Sequence, residues 1–242
     1  IFLIIVSFIS VFPLYWMISA ATNTSTDVSR GRILPGSHFM ENFHNLTAQQ
    51  PLWRALGNSF FYAILTTVIC LLICSIAGYG FEVYHDKGKD RLFSVLLLAM
   101  MVPQVATMVP LFKMFSKAGL LNTAVGFILP IISTPFMIMM FRQNARSFPV
   151  DIIEAARIDG LSEVRIFFQM FMNAWNSYLW PKVIMTDNKA MTMPMLIANL
   201  ITGYVTDYGM LMCGVLFCSI PTMIVFFVLQ KQFAEGITGA VK

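Results

Sequence analysis

Apolar residues run in blocks along this chain, and the blocks are about as long as a bilayer is thick. A crossing helix needs roughly 20 consecutive apolar residues. Ile1–Ala21 is one such block, interrupted by Pro13. Asn58–Phe81 is the second. Leu92–Phe112 is the third, with Pro103 and Pro110 inside it, and Thr123–Phe141 is the fourth, with Pro130 and Pro135. Met210–Gln230 is the last. Proline is compatible with a crossing because neighbouring helices, hydroxyls and water satisfy the carbonyls it frees. The pattern therefore predicts five spans. Phe171–Met185 is apolar and aromatic but too short to cross, and it carries Asn173, Asn176, Pro181 and Lys182. It is expected to be either a re-entrant segment or the remainder of a shortened span. The first block begins at Ile1 without an initiator Met and is read as a truncated first helix. A cleavable signal fits less well, since no small-residue cleavage site follows a short apolar core.

Composition sharpens this picture. Of 242 residues, 57% are hydrophobic and 12% charged, with a mean hydropathy of +0.73. A soluble domain carries about twice that share of charge, and a single soluble core of this size would leave large apolar patches in water. A soluble enzyme, a DNA-binding protein and a disordered chain are excluded on these grounds. The net charge of +4 is spread along the chain and reads as loop and interface residues. If the short aromatic segment counts as a sixth crossing, Glu82–Arg91, Arg142–Met170 and Lys231–Lys242 share one side and hold nine of the 16 Lys and Arg. The opposite segments, Thr22–Gly57, Lys113–Asn122 and Lys182–Gly209, are longer in total and hold seven. The first group is thus expected to be cytoplasmic. Thr22–Gly57, with Pro35, Gly36 and Asn42, is too long for a tight turn and too short for a domain.

The five spans carry no Asp, Glu or His at mid-depth, where a coupling proton or sodium ion would be held. Glu82 and Asp207 sit at span ends. There is no P-loop, no H-E-x-x-H and no serine-hydrolase elbow, so no catalytic residue is assigned. Cys70, Cys74, Cys213 and Cys218 lie in apolar runs with no histidine near them. They are read as small packing residues and no metal site is assigned. Any active transport must then draw its energy from another subunit.

The informative polar stretch is SFPVDIIEAARIDGLSEVRIFF, Ser147–Phe168. Pro149 suits a first helical turn and Asp151 favours its positive end. The helix would run to about Ile158 and stop at Gly160. Ser162 can cap a second helix leading into Val164, Ile166, Phe167 and Phe168. The prediction is a helix-turn-helix on the membrane surface at about 147–168. Ala155 and Ala156 leave a smooth patch for close protein approach, and Glu154 can pair with Arg157 or reach outward. On periodicity alone, an ordinary amphipathic surface helix remains an alternative.

EAARIDG, Glu154–Gly160, resembles the cytoplasmic signature of ABC importer permeases, the membrane subunits of binding-protein-dependent uptake systems. MMVPQVATMVPLFKMF (Met100–Phe115), GLLNTAVGFILP (Gly119–Pro130), PFMIMMFRQ (Pro135–Gln143) and AWNSYLWP (Ala174–Pro181) resemble the carbohydrate branch in the same order. Within that branch they are similar to the smaller permease of maltose and glycerol-3-phosphate systems. One departure stands out. In the family the signature is followed by an I-x-L-P turn and a full fifth span, whereas here LSEVRIFFQ leads directly into Met170, Phe171, Met172 and Asn173. On the order of 15–20 residues, about a helix, have no counterpart. The fifth helix is therefore expected to be incomplete in this sequence.

The resemblance implies an all-α, polytopic six-helix ABC importer permease fold, with residues 1–242 as one transmembrane domain. It implies a bacterial or archaeal plasma (inner) membrane location. Implied partners are a second homologous permease subunit, two ATPase subunits, an extracytoplasmic solute-binding protein and the lipid bilayer, with no nucleic acid. ATP and Mg²⁺ would be bound by the ATPase subunits and no cofactor by this chain. Glu154, Ala155, Ala156, Asp159 and Gly160 would form the ATPase-coupling helix and its sharp turn. Trp175, Asn176, Tyr178 and Trp180 combine rings and amides, which is sugar-binding chemistry, and are candidates for the substrate pathway. The alternative for them is an interfacial aromatic belt. Asn199 and Tyr204 lie in Thr186–Asp207, the segment expected to approach the binding protein, unless it packs only on its own helix ends. The tail Phe233–Lys242 resembles one that reaches the ATPase dimer, or is a frayed end. Two rivals remain: a self-sufficient secondary transporter or channel, which would transport alone in liposomes, and a structural membrane scaffold, which would not transport at all.

Overall fold

The computed structural model of the chain describes residues 2–84, 86–146, 170–202 and 205–239. Among them the regular structure is helical. In order these are α1 (Phe2–Ala21), α2 (Ser25–Ser29), α3 (Phe39–Gln49), α4 (Leu52–Val83), α5 (Lys87–Ala99), α6 (Gln104–Lys117), α7 (Ala124–Ile128) and α8 (Pro135–Arg146). Helical residues 170–175 (α9), α10 (Leu179–Ile184), α11 (Met193–Ile201) and α12 (Tyr208–Gly239) follow. Two helices have the length and apolarity of a crossing by themselves, Leu52–Val83 and Tyr208–Gln230. They correspond to the second and last predicted spans. The 32-residue α4 extends beyond both predicted ends of its span.

The third and fourth predicted spans are broken, and proline explains both. Val102 precedes Pro103, a position biased away from helix, and Pro103 has no N–H to continue the ladder. The last turn of α5 tightens instead, with Met100, Met101 and Val102 donating to the carbonyls three residues back. The chain then turns by 101° into α6. In the fourth span, Pro130 and Pro135 leave only the five-residue α7 and the 12-residue α8 as helix.

The contacts divide the chain into two units. The first comprises Ile1–Ser59 and Met191–Phe226. Its polar segment after α1 is held by buried amides. Asn42 Nδ2 donates to the Ala21 and Asn23 carbonyls, both at 2.9 Å, and Asn23 Nδ2 donates to the Ser19 and Leu34 carbonyls, both at 2.9 Å. Gly209, in the first turn of α12, packs directly on this network. A Cβ there would lie 2.7 Å from the Asn23 carbonyl oxygen. Farther along α12, Phe217 meets the Phe43 ring at 5.4 Å between centroids. Residues 22–51 are therefore short helices and turns tied down by side-chain donors.

The second unit comprises Phe60–Ala190 and Phe227–Lys242. Here α4 lies against the broken fourth span. Tyr62 stacks on Phe127 at 4.5 Å and 15°. Cys70 and Cys74, one turn apart and fully buried, direct their thiols to the Ile131 and Ile132 carbonyls at 3.6 and 3.5 Å. These thiols lie 3.7 Å from each other. At the α5 end, Asp86 caps the helix by accepting from Gly88 and Lys89 N–H at 2.7 and 2.9 Å. The Lys89 N–H, followed by that of Gly88, holds the Asp86 carboxyl below the usual carboxylate range.

Gly78 marks the closest backbone approach of α4 to α8. A Cβ at Gly78 would sit 2.5 Å from Phe141 Cβ and 2.7 Å from Arg142 N, whereas at Gly80 it would meet nothing within 4 Å. Gly78→Val is expected to destabilise the protein by about 2 kcal/mol or more, since two backbones would have to part. Gly80→Ala is expected to be neutral or to stabilise by up to about 1 kcal/mol. Thermal unfolding of the two variants in detergent distinguishes them, and equal melting temperatures would contradict this packing.

Candidate functional site

The aromatic segment is built from α9, a three-residue break and α10. Asn176 N–H closes the last turn of α9 on the Met172 carbonyl at 3.0 Å. Its four candidate residues divide into two pairs. Trp175 and Trp180 are 1% and 3% exposed, while Asn176 and Tyr178 face outward. Trp175 packs between Phe60, at 4.7 Å, and Phe171, at 6.1 Å, centroid to centroid. Trp180 meets Phe115 edge-on at 5.4 Å and 87°. Its Nε1–H donates to the Gly126 and Phe127 carbonyls, both at 3.2 Å. The indoles and the polar side chains thus do not form one surface.

The Trp180 contact has a local cause. In an unbroken helix the N–H of residue 130 would serve the Gly126 carbonyl, but residue 130 is proline and has none. The indole supplies the missing donor. Through it α10 packs on α6 and α7. The turn before α7 is equally constrained. Asn122 adopts φ 58°, a left-handed conformation that asparagine tolerates. Its side chain donates to Thr186 Oγ1 and accepts from Asp187 N–H, both at 2.8 Å.

In the first unit, α11 forms the nine-residue middle of the segment expected to approach the binding protein. Asn58 Nδ2 holds the Met191 carbonyl at 2.8 Å, and Ser59 Oγ accepts from Met193 N–H at 2.7 Å, satisfying one of the unpaired donors of the helix start. Met193, Met195, Leu196 and Leu200 are buried. Asn199 is half-buried, and its Nδ2 approaches Met191 Sδ at 3.6 Å. Ile201 and Val205, by contrast, are exposed, so the segment buries only part of its apolar surface. Tyr204 lies outside the described residues. So do Glu154, Ala155, Ala156, Asp159 and Gly160, with the whole predicted helix-turn-helix. In the tail, the backbone of α12 stays helical to Gly239.

Sequence reasoning passed over one cluster. Arg142, near the end of α8, pairs with Glu82 and with Asp90, each at 3.0 Å. The signal was present: both the Glu82–Arg91 and Arg142–Met170 segments were placed on the same side of the membrane. Among the described residues, no group of three or more His, Cys, Asp or Glu is placed to hold a metal ion.

Long apolar helices, with interrupted spans closed by side-chain donors, define an all-α polytopic membrane protein. Residues 75–174 match the family described as binding-protein-dependent transport system inner membrane component. The lactose transport system permease protein LacG of Rhizobium radiobacter is 37% identical, over 98% of this chain and 92% of that protein. The arabinooligosaccharides transport system permease protein AraQ of Bacillus subtilis is 32% identical, over 100% of this chain and 94% of that protein. A bacterial ABC transporter involved in the import of the acidic polysaccharide alginate has the same fold in its crystal structure. The TM-score is 0.77 at 19% identity, covering 95% of this chain and 93% of that one. This chain belongs to the inner-membrane permease family of binding-protein-dependent ABC importers. The alignment with the Bacillus subtilis protein runs over 263 positions and takes in this chain's 242 residues, so about 21 positions face no residue here. That shortfall has the size of the missing helix expected from the sequence, although Met170 and Phe171 follow one another within α9.

The Trp180 geometry makes a prediction about stability. Trp180→Phe keeps a ring in the pocket but removes the only N–H of the side chain. It is expected to cost about 1–3 kcal/mol, because two buried carbonyls lose their donor. Tyr178→Phe, at an exposed ring, should change the melting temperature little. A Trp180→Phe protein that melts like wild type would show that the indole N–H does not support the break.

Proposed function

We propose that this chain is one of two related permease subunits that together enclose the translocation pathway for an oligosaccharide. Full-length similarity to permeases named for lactose and arabinooligosaccharides carries this reading. On this reading two ATPase subunits bind ATP and Mg²⁺ on the cytoplasmic side, and an extracytoplasmic binding protein delivers the solute. The chain itself binds no cofactor. Its helix around Glu154, Ala155, Ala156, Asp159 and Gly160 docks on one ATPase. Closure of the ATPase dimer then turns the permease helices as rigid bodies between inward- and outward-facing states. Asn176 and Tyr178, exposed on the aromatic segment, are placed on the solute pathway, with Trp175 and Trp180 supporting them from behind. Asn199 and Tyr204 approach the binding protein.

The coupling assignment is tested by charge and by backbone freedom. Glu154→Lys reverses a charge that would face the ATPase, and Gly160→Val blocks a left-handed turn. Both should lower transport and ATPase co-purification at normal membrane abundance. Wild-type solute-stimulated ATP hydrolysis in both variants would reject the assignment.

The solute class is tested by reconstituting the complex with its ATPase and binding protein and measuring uptake of labelled lactose and arabinotriose. Uptake of at least one, dependent on ATP and on the binding protein, is expected. Uptake by this chain alone, without ATP, would favour a secondary transporter or channel.

A further inference from the structure

Arg142 stands one turn before the end of α8, with its side chain 16% exposed. Its Nε donates to Glu82 Oε2 and its Nη2 to Asp90 Oδ1, each at 3.0 Å. Its Cζ lies 4.3 Å from the centroid of the Phe93 ring. Glu82 belongs to the last turn of α4, and Asp90 and Phe93 to the first two turns of α5. One cation therefore gathers the ends of three helices. Arginine suits this place for a geometric reason. Its planar fork serves two carboxylates at once while its face covers a ring, and an ammonium group cannot do both.

The surroundings show what holds these ends in register. One turn before Glu82, Gly78 brings the α4 backbone against Phe141 and Arg142. The Phe81 and Phe93 rings meet at 5.4 Å. Beside the cluster a cavity of about 320 Å³ is lined by Glu82, Phe93, Met139, Arg142 and Gln143. Among the described residues the guanidinium is held by its two ion pairs and by the Phe93 ring. Arg142 and Glu82 are both mostly buried, and such pairs are screened far less than surface ones.

We propose that Arg142 is a positioning residue for energy coupling. It locks the cytoplasmic ends of α4, α5 and α8 into one body, so that a displacement entering at the end of α8 reaches α4 and α5 together. This rests on the reading that an ATPase docks on the segment following α8. Without the lock, α8 would move while α5, held to α4 by a short connection and the Phe81–Phe93 contact, lagged behind.

The test uses the complex with its ATPase subunits in lipid nanodiscs. Spin labels are placed at Arg91 and Gln143 through non-canonical residues, so that the native cysteines stay. Wild type should give one narrow distance distribution, the same without nucleotide and when trapped with ADP and vanadate. Arg142→Gln should retain its ATPase subunits but gain, on trapping, a second population displaced by about 5 Å, the scale of a one-turn slip. Arg142→Lys keeps the charge but can serve one carboxylate at a time, and should fall between the two. It also carries the test if the glutamine variant fails to fold. A narrow, unchanged distribution in Arg142→Gln, or in Arg142→Lys if that alone folds, would overturn the proposal. Loss of the ATPase from the Arg142 variants alone would make Arg142 a docking residue and overturn it too. Absence of ATPase subunits from the wild-type preparation would instead reject the permease reading, and the proposal with it.

Discussion

A carbonyl left without a donor inside an apolar span is the constraint from which most of the second unit follows. In hydrocarbon such a group costs several kcal/mol, so a broken span persists only where other side chains close the break. Pro130 frees the Gly126 carbonyl, and the Trp180 indole serves it. In an unbroken helix the N–H of residue 135 would serve the Ile131 carbonyl, but Pro135 has none. Thr134 Oγ1 at 2.9 Å and the Cys70 thiol take its place. Cys74 does the same for Ile132. Thiols suit this task because they are small, weak donors that cost little to bury.

The two thiols belong to one column of α4. Tyr62, Thr66, Cys70, Cys74, Gly78 and Glu82 recur at every fourth position, which on a helix forms a single inclined ridge. All but Thr66 have a defined partner on the α7–α8 segment: a ring stack, two carbonyls, a backbone approach and an ion pair. The Thr66 hydroxyl is buried without a partner among the described residues. A slip of α4 by one turn would move every one of these partners at once. The register is therefore set by several weak contacts and closed at the C-terminal end of α4 by one strong one, the Arg142 cluster.

The two unbroken crossings were legible in the sequence because length and apolarity suffice to define them. The breaks were only half legible. Pro103, Pro130 and Pro135 were visible, but a kinked continuous span and a broken one differ by whether donors arrive from elsewhere, and those donors lie 54 to 61 positions away at Cys70, Cys74 and Trp180. The aromatic segment shows the same limit. Rings beside amides suggested a single binding surface, yet Trp175 and Trp180 are buried on the two short helices while Asn176 and Tyr178 face outward from the break between them. The Arg142 cluster escaped notice because its members are 52 and 60 residues apart and each looks like an ordinary loop charge.

The use of Trp180 as a structural donor has a consequence for transport. An indole whose N–H is committed to two carbonyls cannot also bind a sugar hydroxyl, and its ring is closed off by Phe115. Trp175 is likewise enclosed by Phe60 and Phe171. A solute meeting this segment would encounter Asn176 and Tyr178, an amide and a phenol, while the buried indoles set the angle at which they are presented. Selectivity among sugars on this side of the pathway would then follow hydroxyl pairing with the amide more than stacking on indole faces.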